Sequence, residues 1–270
     1  NTPKQILLYQ ALEFDLPEFA HLPLILDKNE AKLKKRSEEQ TVYVGEFREK
    51  GYLPEALFNF LALLGWSPKN DQEILAKEEL INNFEIEGIN KSPAVFDIEK
   101  LNWMNRKYIR KADLERIVDL AIPYLQDAGF IEEQISENDY QWIKKVIEVA
   151  RNRVDYLSQI PQETELFFTE LEYEDKEEAI AEYQEDGVEL VFDTMKTKLN
   201  QLEQFNQENI SNIFDEMREE LPVGARTIYH PVRLALTGKN SGIDMKHIIY
   251  ILGIDEVENR LNQALELTEQ

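Results

Sequence analysis

Apolar residues recur at three- and four-residue spacing along most of this chain, and the spacing predicts a succession of amphipathic helices. Gln5–Leu12 puts Leu7, Leu8, Ala11 and Leu12 on one side. Glu46–Gly51 reads as a short helix closed by a C-terminal glycine. Leu53-Pro54 opens a strongly apolar helix whose expected buried stripe is Ala56, Leu57, Phe60, Leu61 and Leu64, stopped by Gly65-Trp66-Ser67-Pro68. Further helices are expected over Glu73–Phe84, from Phe96-Asp97 onward (Leu101, Trp103, Met104), over Asp113–Leu125 and over Asp139–Leu157. The stripe Val188, Val191, Met195, Leu199, Leu202 continues the pattern. Asn206 then caps a helix carrying Ile210, Ile213, Phe214, Met217 and Leu221, and Lys246–Leu252 adds one more. The one strand-like run is Leu22–Leu26, short, apolar and bounded by turn residues. The loops fall at Glu87–Pro93 and Pro222–Arg226. The pattern as a whole is that of a mainly α protein.

Composition narrows the function classes. With 270 residues and 43% hydrophobic content the chain can bury substantial cores in one to three domains. No apolar run approaches the roughly 20 residues of a membrane span, so a cytoplasmic protein is expected. Zero cysteines exclude disulfides, thiolate catalysis and Cys-ligated zinc. Three scattered histidines, His21, His230 and His247, form no metal pattern.

Charge is strongly unbalanced, with 53 acidic residues against 30 basic ones and a formal net charge of −23. The excess is local. Residues 161–221 hold 19 Asp/Glu, with Lys176, Lys196, Lys198 and Arg218 as their only basic company. Within them, the acidic stretch Glu163–Asp186 carries no His or Gly pattern and no EF-hand spacing. It is read as an exposed surface, unable to split carboxylate pKa values for acid–base work; Phe167-Phe168 within it is expected to anchor a turn into the core. Cations gather elsewhere: Lys32, Lys34, Lys35 and Arg36; Arg106, Lys107, Arg110 and Lys111; Lys144, Lys145, Arg151 and Arg153. Net charge governs solubility and encounter, whereas local clusters meet phosphates. A strand feeding Ala31-Lys32-Leu33-Lys34-Lys35-Arg36 suits a polyphosphate grip, with a solvated basic turn as its rival. Asn105-Arg106-Lys107-Tyr108-Ile109-Arg110-Lys111 mixes an aromatic with four cations, as a phosphate-and-sugar surface does; the rival is a solvated helix face. Arg233 lies in an otherwise apolar helix, where a guanidinium needs either a carboxylate or a ligand.

Several segments in one order resolve these choices. NTPKQILLYQAL, FAHLPLIL, KLKKR, GYLPEALFNFLALLGWSP, KSPAVFDIEKLNWMNRKYI and HPVRLALTG closely resemble bacterial glutamyl-tRNA synthetase across essentially the whole chain. In that class I family the cationic loop is the KMSKS-type signature, usually Lys-Leu-Ser-Lys-Arg. The resemblance implies residues 1–40 as the end of a Rossmann-type catalytic domain, 41–112 as a stem-contact domain, and 113–270 as a helical anticodon-binding domain in two lobes, 113–187 and 188–270. It implies Lys35 as the catalytic loop residue on the ATP triphosphate, with Lys32 and Arg36 beside it, and ATP used with Mg2+. Arg106, Lys107, Arg110 and Lys111 would face the tRNA stem. His230 and Arg233 would meet the anticodon, and Lys239 a phosphate. The implied partners are glutamate, ATP and the tRNA for glutamate, with the glutamine tRNA left open, in a monomeric enzyme. No metal site is implied within these 270 residues.

The departures are specific. Lys34 stands where the family has serine, and Ser37-Glu38-Glu39 replaces the usual continuation after Arg36. No His-x-Gly-His occurs in the 270 residues, so this chain alone is not expected to activate glutamate. A stand-alone tRNA-binding module and an acidic interaction protein are the two rival readings.

Overall fold

The computed structural model describes residues 1–29, 31, 43–69 and 71–269. Lys32, Lys34, Lys35 and Arg36 lie outside the described residues. The chain forms two compact units, residues 1–111 and 112–270, and among the described residues it is helical apart from one two-stranded sheet.

The first unit holds α1 (Thr2–Ala11), β1 (Ile25–Leu26), α2 (Val44–Glu49), α3 (Pro54–Gly65), α4 (Lys77–Asn83), β2 (Ala94–Val95) and α5 (Ile98–Lys111). The strand expected over Leu22–Leu26 is confined to Ile25–Leu26. β1 pairs in parallel with β2, Ile25 opposite Ala94 and Leu26 opposite Val95. The Ala94 N–H donates to the Leu24 carbonyl (3.0 Å) and Phe96 to Leu26 (2.8 Å). The apolar surface around it does stay open: Leu7, Leu8, Leu12, Leu22 and Leu24 are exposed, and α1 buries nothing.

The core of this unit lies between α3 and α5. Phe47, Tyr52, Leu53, Phe60, Phe96, Leu101 and Met104 are buried there, with edge-to-face contacts joining Phe47 to Tyr52 and Phe60 to Phe96 at 5.1 Å. Two asparagines share this interior. Asn105 accepts the Leu53 N–H (2.9 Å) where α3 begins. Asn59 accepts the Leu75 N–H (2.9 Å), and its Oδ1 lies 2.7 Å from the Tyr108 hydroxyl. Burial, helped by Glu55, pushes the Tyr108 phenol up to about 12.

These polar contacts explain where the apolar pattern misleads. The helix expected over 73–84 begins only at Lys77. Its start is fixed by Asn59 holding the Leu75 backbone and by the Glu79 carboxylate accepting the Ala76 N–H at 2.7 Å. On α3 the buried side includes Asn59 while Leu61 is exposed; on α5 it includes Asn105 while Trp103 faces outward. A side chain that closes a backbone hydrogen bond can displace a hydrophobic one from the interior, because an unmet buried N–H costs about 1–3 kcal/mol.

The second unit contains α6 (Leu114–Asp127), α7 (Glu137–Ala150), α8 (Ile160–Thr164), α9 (Lys176–Tyr183), α10 (Val188–Asn200), α11 (Gln207–Glu220), α12 (Ala225–Thr237), α13 (Met245–Leu252) and α14 (Ile254–Glu266). Asp113, Ser136, Asp175, Asn206 and Asp244 cap five of these helices through their side chains. α7 is shorter than the expected 139–157. It ends at Ala150 in a turn through Arg151-Asn152-Arg153, and Gln159 accepts the Asp155 N–H (2.7 Å) to start a separate single turn of helix at Leu157. The main core threads Val146, Phe192, Met195, Ile213, Ile228, Val232, Leu236, Ile248, Val257 and Leu261. Phe167 is buried, and Phe168 stacks on Phe130 and meets Trp142 edge-on, both at 5.2 Å. The aromatic pair anchors its turn as the sequence implies.

Candidate nucleic-acid interface

The C-terminal half of α5 carries the first cationic group. Helical spacing places Trp103, Arg106, Lys107 and Arg110 along one outer stripe. Arg110 and Lys111 are exposed, and Arg106 and Lys107 are half-buried. Lys107 Nζ sits 5.9 Å from the centre of the exposed Trp103 ring, so an aromatic plate and a cation share one patch. The opposite side of the helix is committed to the core through Leu101, Met104, Asn105 and Ile109. The stripe therefore stands on a rigid base.

The second group centres on the end of α12. Gly238 closes this helix in the left-handed region at φ +67°. A Cβ there would lie 1.9 Å from the Glu172 carbonyl oxygen, because the segment Thr169–Asp175 crosses directly over the glycine. That crossing is hydrogen-bonded, with the Glu174 N–H donating to the Gly238 carbonyl (3.0 Å). Thr237 Oγ1 donates to the Arg233 carbonyl (2.8 Å) and accepts the Lys239 N–H (3.1 Å). Lys239 is half-buried at the edge of a cleft of about 220 Å³ bounded by Glu165–Glu174.

Arg233 is half-buried, and its Nη1 donates to the Ile243 carbonyl at 3.0 Å. The sequence offered a carboxylate or a ligand as its partner; the structure supplies a backbone carbonyl. Burial lowers the guanidinium below the usual arginine range; Asp244 opposes this and Arg153 adds to it. Arg153 Nη1 donates to the Gly242 carbonyl (3.3 Å) and its Nε to Glu163 (2.7 Å). Arg233 from α12 and Arg153 from the turn after α7 thus hold consecutive carbonyls of the loop that follows Gly238. Beside that loop, Arg151, Arg153, Gln207, Asp244 and His247 border a cleft of about 430 Å³. Burial pushes the His247 imidazole down. Lys144 pairs with Glu115 (2.8 Å), and Lys145 lies 4.9 Å from the Tyr250 ring.

Three features escaped the sequence reading. Glu182, taken as part of an exposed acidic run, is buried, with His230 Nδ1 at 2.8 Å and Arg226 Nη2 at 3.1 Å. Its place on the inner face of α9, next to buried Ala179 and Tyr183, is the signal that spacing could have provided. Arg226, read as loop, belongs to the first turn of α12. Arg260 is buried and bonds the Glu256 carboxylate (2.6 Å) and the Leu236 and Leu166 carbonyls (2.8 and 3.1 Å). A glutamate four residues earlier was the only hint. Among the described residues no group of three or more His, Asp or Glu could hold a metal ion, and no helix is long and apolar enough to cross a membrane.

A helical unit with pinned basic loops, following a unit with a basic helix face, fits an RNA-binding protein. Residues 116–265 match the family described as the anticodon binding domain, and residues 1–103 match the catalytic domain of class I tRNA synthetases (E and Q). The chain belongs to the class I tRNA synthetases of this type, the glutamate–tRNA ligase family. It is 43% identical over 267 residues to glutamate–tRNA ligase 1 of Thermoanaerobacter sp. strain X514, covering 99% of this chain and 54% of the relative. It is 39% identical over 262 residues to glutamate–tRNA ligase of Bacillus subtilis strain 168, covering 97% and 54%. Its fold resembles the crystal structure of a glutamate tRNA ligase from Elizabethkingia meningosepticum, with TM-score 0.80, 28% identity, and coverage of 98% of this chain and 55% of that one. The chain spans about half the length of the curated relatives it matches.

Proposed function

We propose that this chain is the C-terminal portion of a glutamate–tRNA ligase, the enzyme that activates glutamate with ATP and transfers it to the terminal ribose of its tRNA. The observation that carries this reading is coverage: ligase relatives align with nearly every residue, and the catalytic and anticodon-binding matches follow one another in order. Residues 1–40 would close the catalytic domain, 41–112 would meet the tRNA stem, and the lobes 113–187 and 188–270 would meet the anticodon. Lys35, with Lys32 and Arg36, would bind the ATP triphosphate, with Mg2+ supplied alongside ATP. Arg106, Lys107, Arg110 and Lys111 take the stem phosphates. Arg233 and His230 face the anticodon, and Lys239 a neighbouring phosphate. The enzyme would work as a cytoplasmic monomer on the glutamate tRNA; action on the glutamine tRNA is decided by charging assays with each.

Replacing Arg106, Lys107, Arg110 and Lys111 by glutamine in the ligase tests the stem surface. Each lost phosphate contact lowers the slope of log affinity against log salt by about 0.7–0.9. The expected result is a roughly tenfold or greater rise in KM for tRNA at moderate salt and a shallower salt dependence, with glutamate and ATP constants unchanged. An unchanged salt slope would remove these four residues from the interface.

A further inference from the structure

We infer that Glu182 is a positioning residue that holds Arg226 and His230 as a paired RNA contact on the outer face of α12, Arg226 for a phosphate and His230 Nε2 for a base edge or ribose hydroxyl. The inference rests on the reading that α12 faces tRNA. Residues 226, 230 and 233 follow one another at four and three residues, so they form one stripe along the helix. Arg233 at its C-terminal end holds the loop after Gly238. Arg226 at the other end has a side chain 73% exposed, while Glu182 beneath it is 5% exposed. The cation, not the carboxylate, meets solvent, and the guanidinium donors not given to Glu182 are accessible.

Glu182 divides its two oxygens. Oε1 lies 2.8 Å from His230 Nδ1, and Oε2 accepts from Arg226 Nη2 at 3.1 Å. A carboxylate on Nδ1 fixes the ring orientation, and in the neutral imidazole it places the proton on Nδ1 and leaves Nε2 as an acceptor. Among the described residues nothing engages Nε2, and the side chain is 23% exposed. An acceptor at that position suits the exocyclic amine of an unpaired base or a 2′-hydroxyl, the groups that single-stranded RNA presents. Stability alone does not account for Glu182. A buried ion pair is often no more stabilising than apolar residues of similar volume, and the neighbours on α9, Ala179 and Tyr183, pack into the core. What the carboxylate adds is orientation of two groups that both reach the surface.

The test is Glu182→Gln in the complete ligase, which keeps the shape and removes the charge. The expected result is a rise of about five- to tenfold in KM for glutamate tRNA, the scale of one net hydrogen bond. kcat and the ATP and glutamate constants stay unchanged. In an Arg226→Ala/His230→Ala background, Glu182→Gln should add nothing, since its effect runs through those two side chains. Arg226→Ala, at an exposed site, should raise the same KM about threefold without touching stability, and it keeps the inference testable if Glu182→Gln misfolds. An unchanged KM in Arg226→Ala, or an equal Glu182→Gln effect in the double background, overturns the inference. Arg233→Ala separates the two levels. If it raises KM while Glu182→Gln and Arg226→Ala do not, this inference alone fails; if none of them matters, α12 does not face tRNA and both fail.

Discussion

Replacing Lys35 by alanine in the proposed ligase is expected to slow glutamate-dependent ATP–pyrophosphate exchange by about a hundredfold or more while leaving tRNA binding intact. Charge develops on the triphosphate as the adenylate forms, and a preplaced cation stabilises it more in the transition state than in the bound substrate. Removing one such group typically costs about 10²–10³ in rate. Lys35 matches the second lysine of the family's usual Lys-Leu-Ser-Lys-Arg signature, and Lys34, where the family usually has serine, is its neighbour. Lys34→Ser should therefore change exchange far less than Lys35→Ala. A hundredfold loss in both would mean that the loop's cations act together; a loss in neither would remove the loop from the ATP step. Since the 270 residues contain no His-x-Gly-His, the chain by itself should form no glutamyl adenylate.

The largest stability effect is expected at Gly238. An alanine there meets two costs at once. The left-handed backbone at φ +67° strains any L residue by about 1–3 kcal/mol. The new methyl would also sit 1.9 Å from the Glu172 carbonyl oxygen and 3.1 Å from Tyr173 Cα, backbone atoms that can yield only if the crossing segment shifts. We expect Gly238→Ala to destabilise the chain by about 3 kcal/mol or more, read as a lowered urea midpoint at unchanged slope. Gly129→Ala is the natural comparison, with φ +73° and open space around the missing Cβ. It should cost only about 1 kcal/mol. Equal effects at the two positions would show that the close approach over Gly238 contributes nothing. The same crossing segment fixes Lys239 and the loop behind it, so Gly238→Ala should weaken tRNA binding as well.

The helices were legible in the sequence because burial follows a 3.6-residue repeat, and the second unit, where apolar stripes pack on one another, follows it closely. α10 buries Val188, Val191, Met195 and Leu199, and Asn206 caps α11 as its position implied. The misreadings came where a polar side chain completes a backbone bond at long range. Asn59 and Asn105 are buried for Leu75 and Leu53, partners 16 and 52 residues away, which no local periodicity reveals. The strand at Ile25–Leu26 was visible, but its partner, two residues at Ala94–Val95, was too short to register. Glu182 and Arg260 leave no mark in the linear charge pattern, because burial is decided across the fold and not along the chain. For the candidate site, the α5 stripe could be read from residue type and spacing alone, whereas the Arg226–Glu182–His230 arrangement needed the folded contact between α9 and α12.

The most direct measurement is the dissociation constant of the 270-residue chain for glutamate tRNA, compared with the same tRNA carrying a replaced anticodon, at one fixed salt concentration. Backbone phosphates are identical in the two molecules, so the comparison isolates recognition of the anticodon bases. The native tRNA is expected to bind at least about tenfold more tightly, the scale of one to three lost base contacts. Equal affinity for both, with the chain folded by circular dichroism, would contradict this expectation.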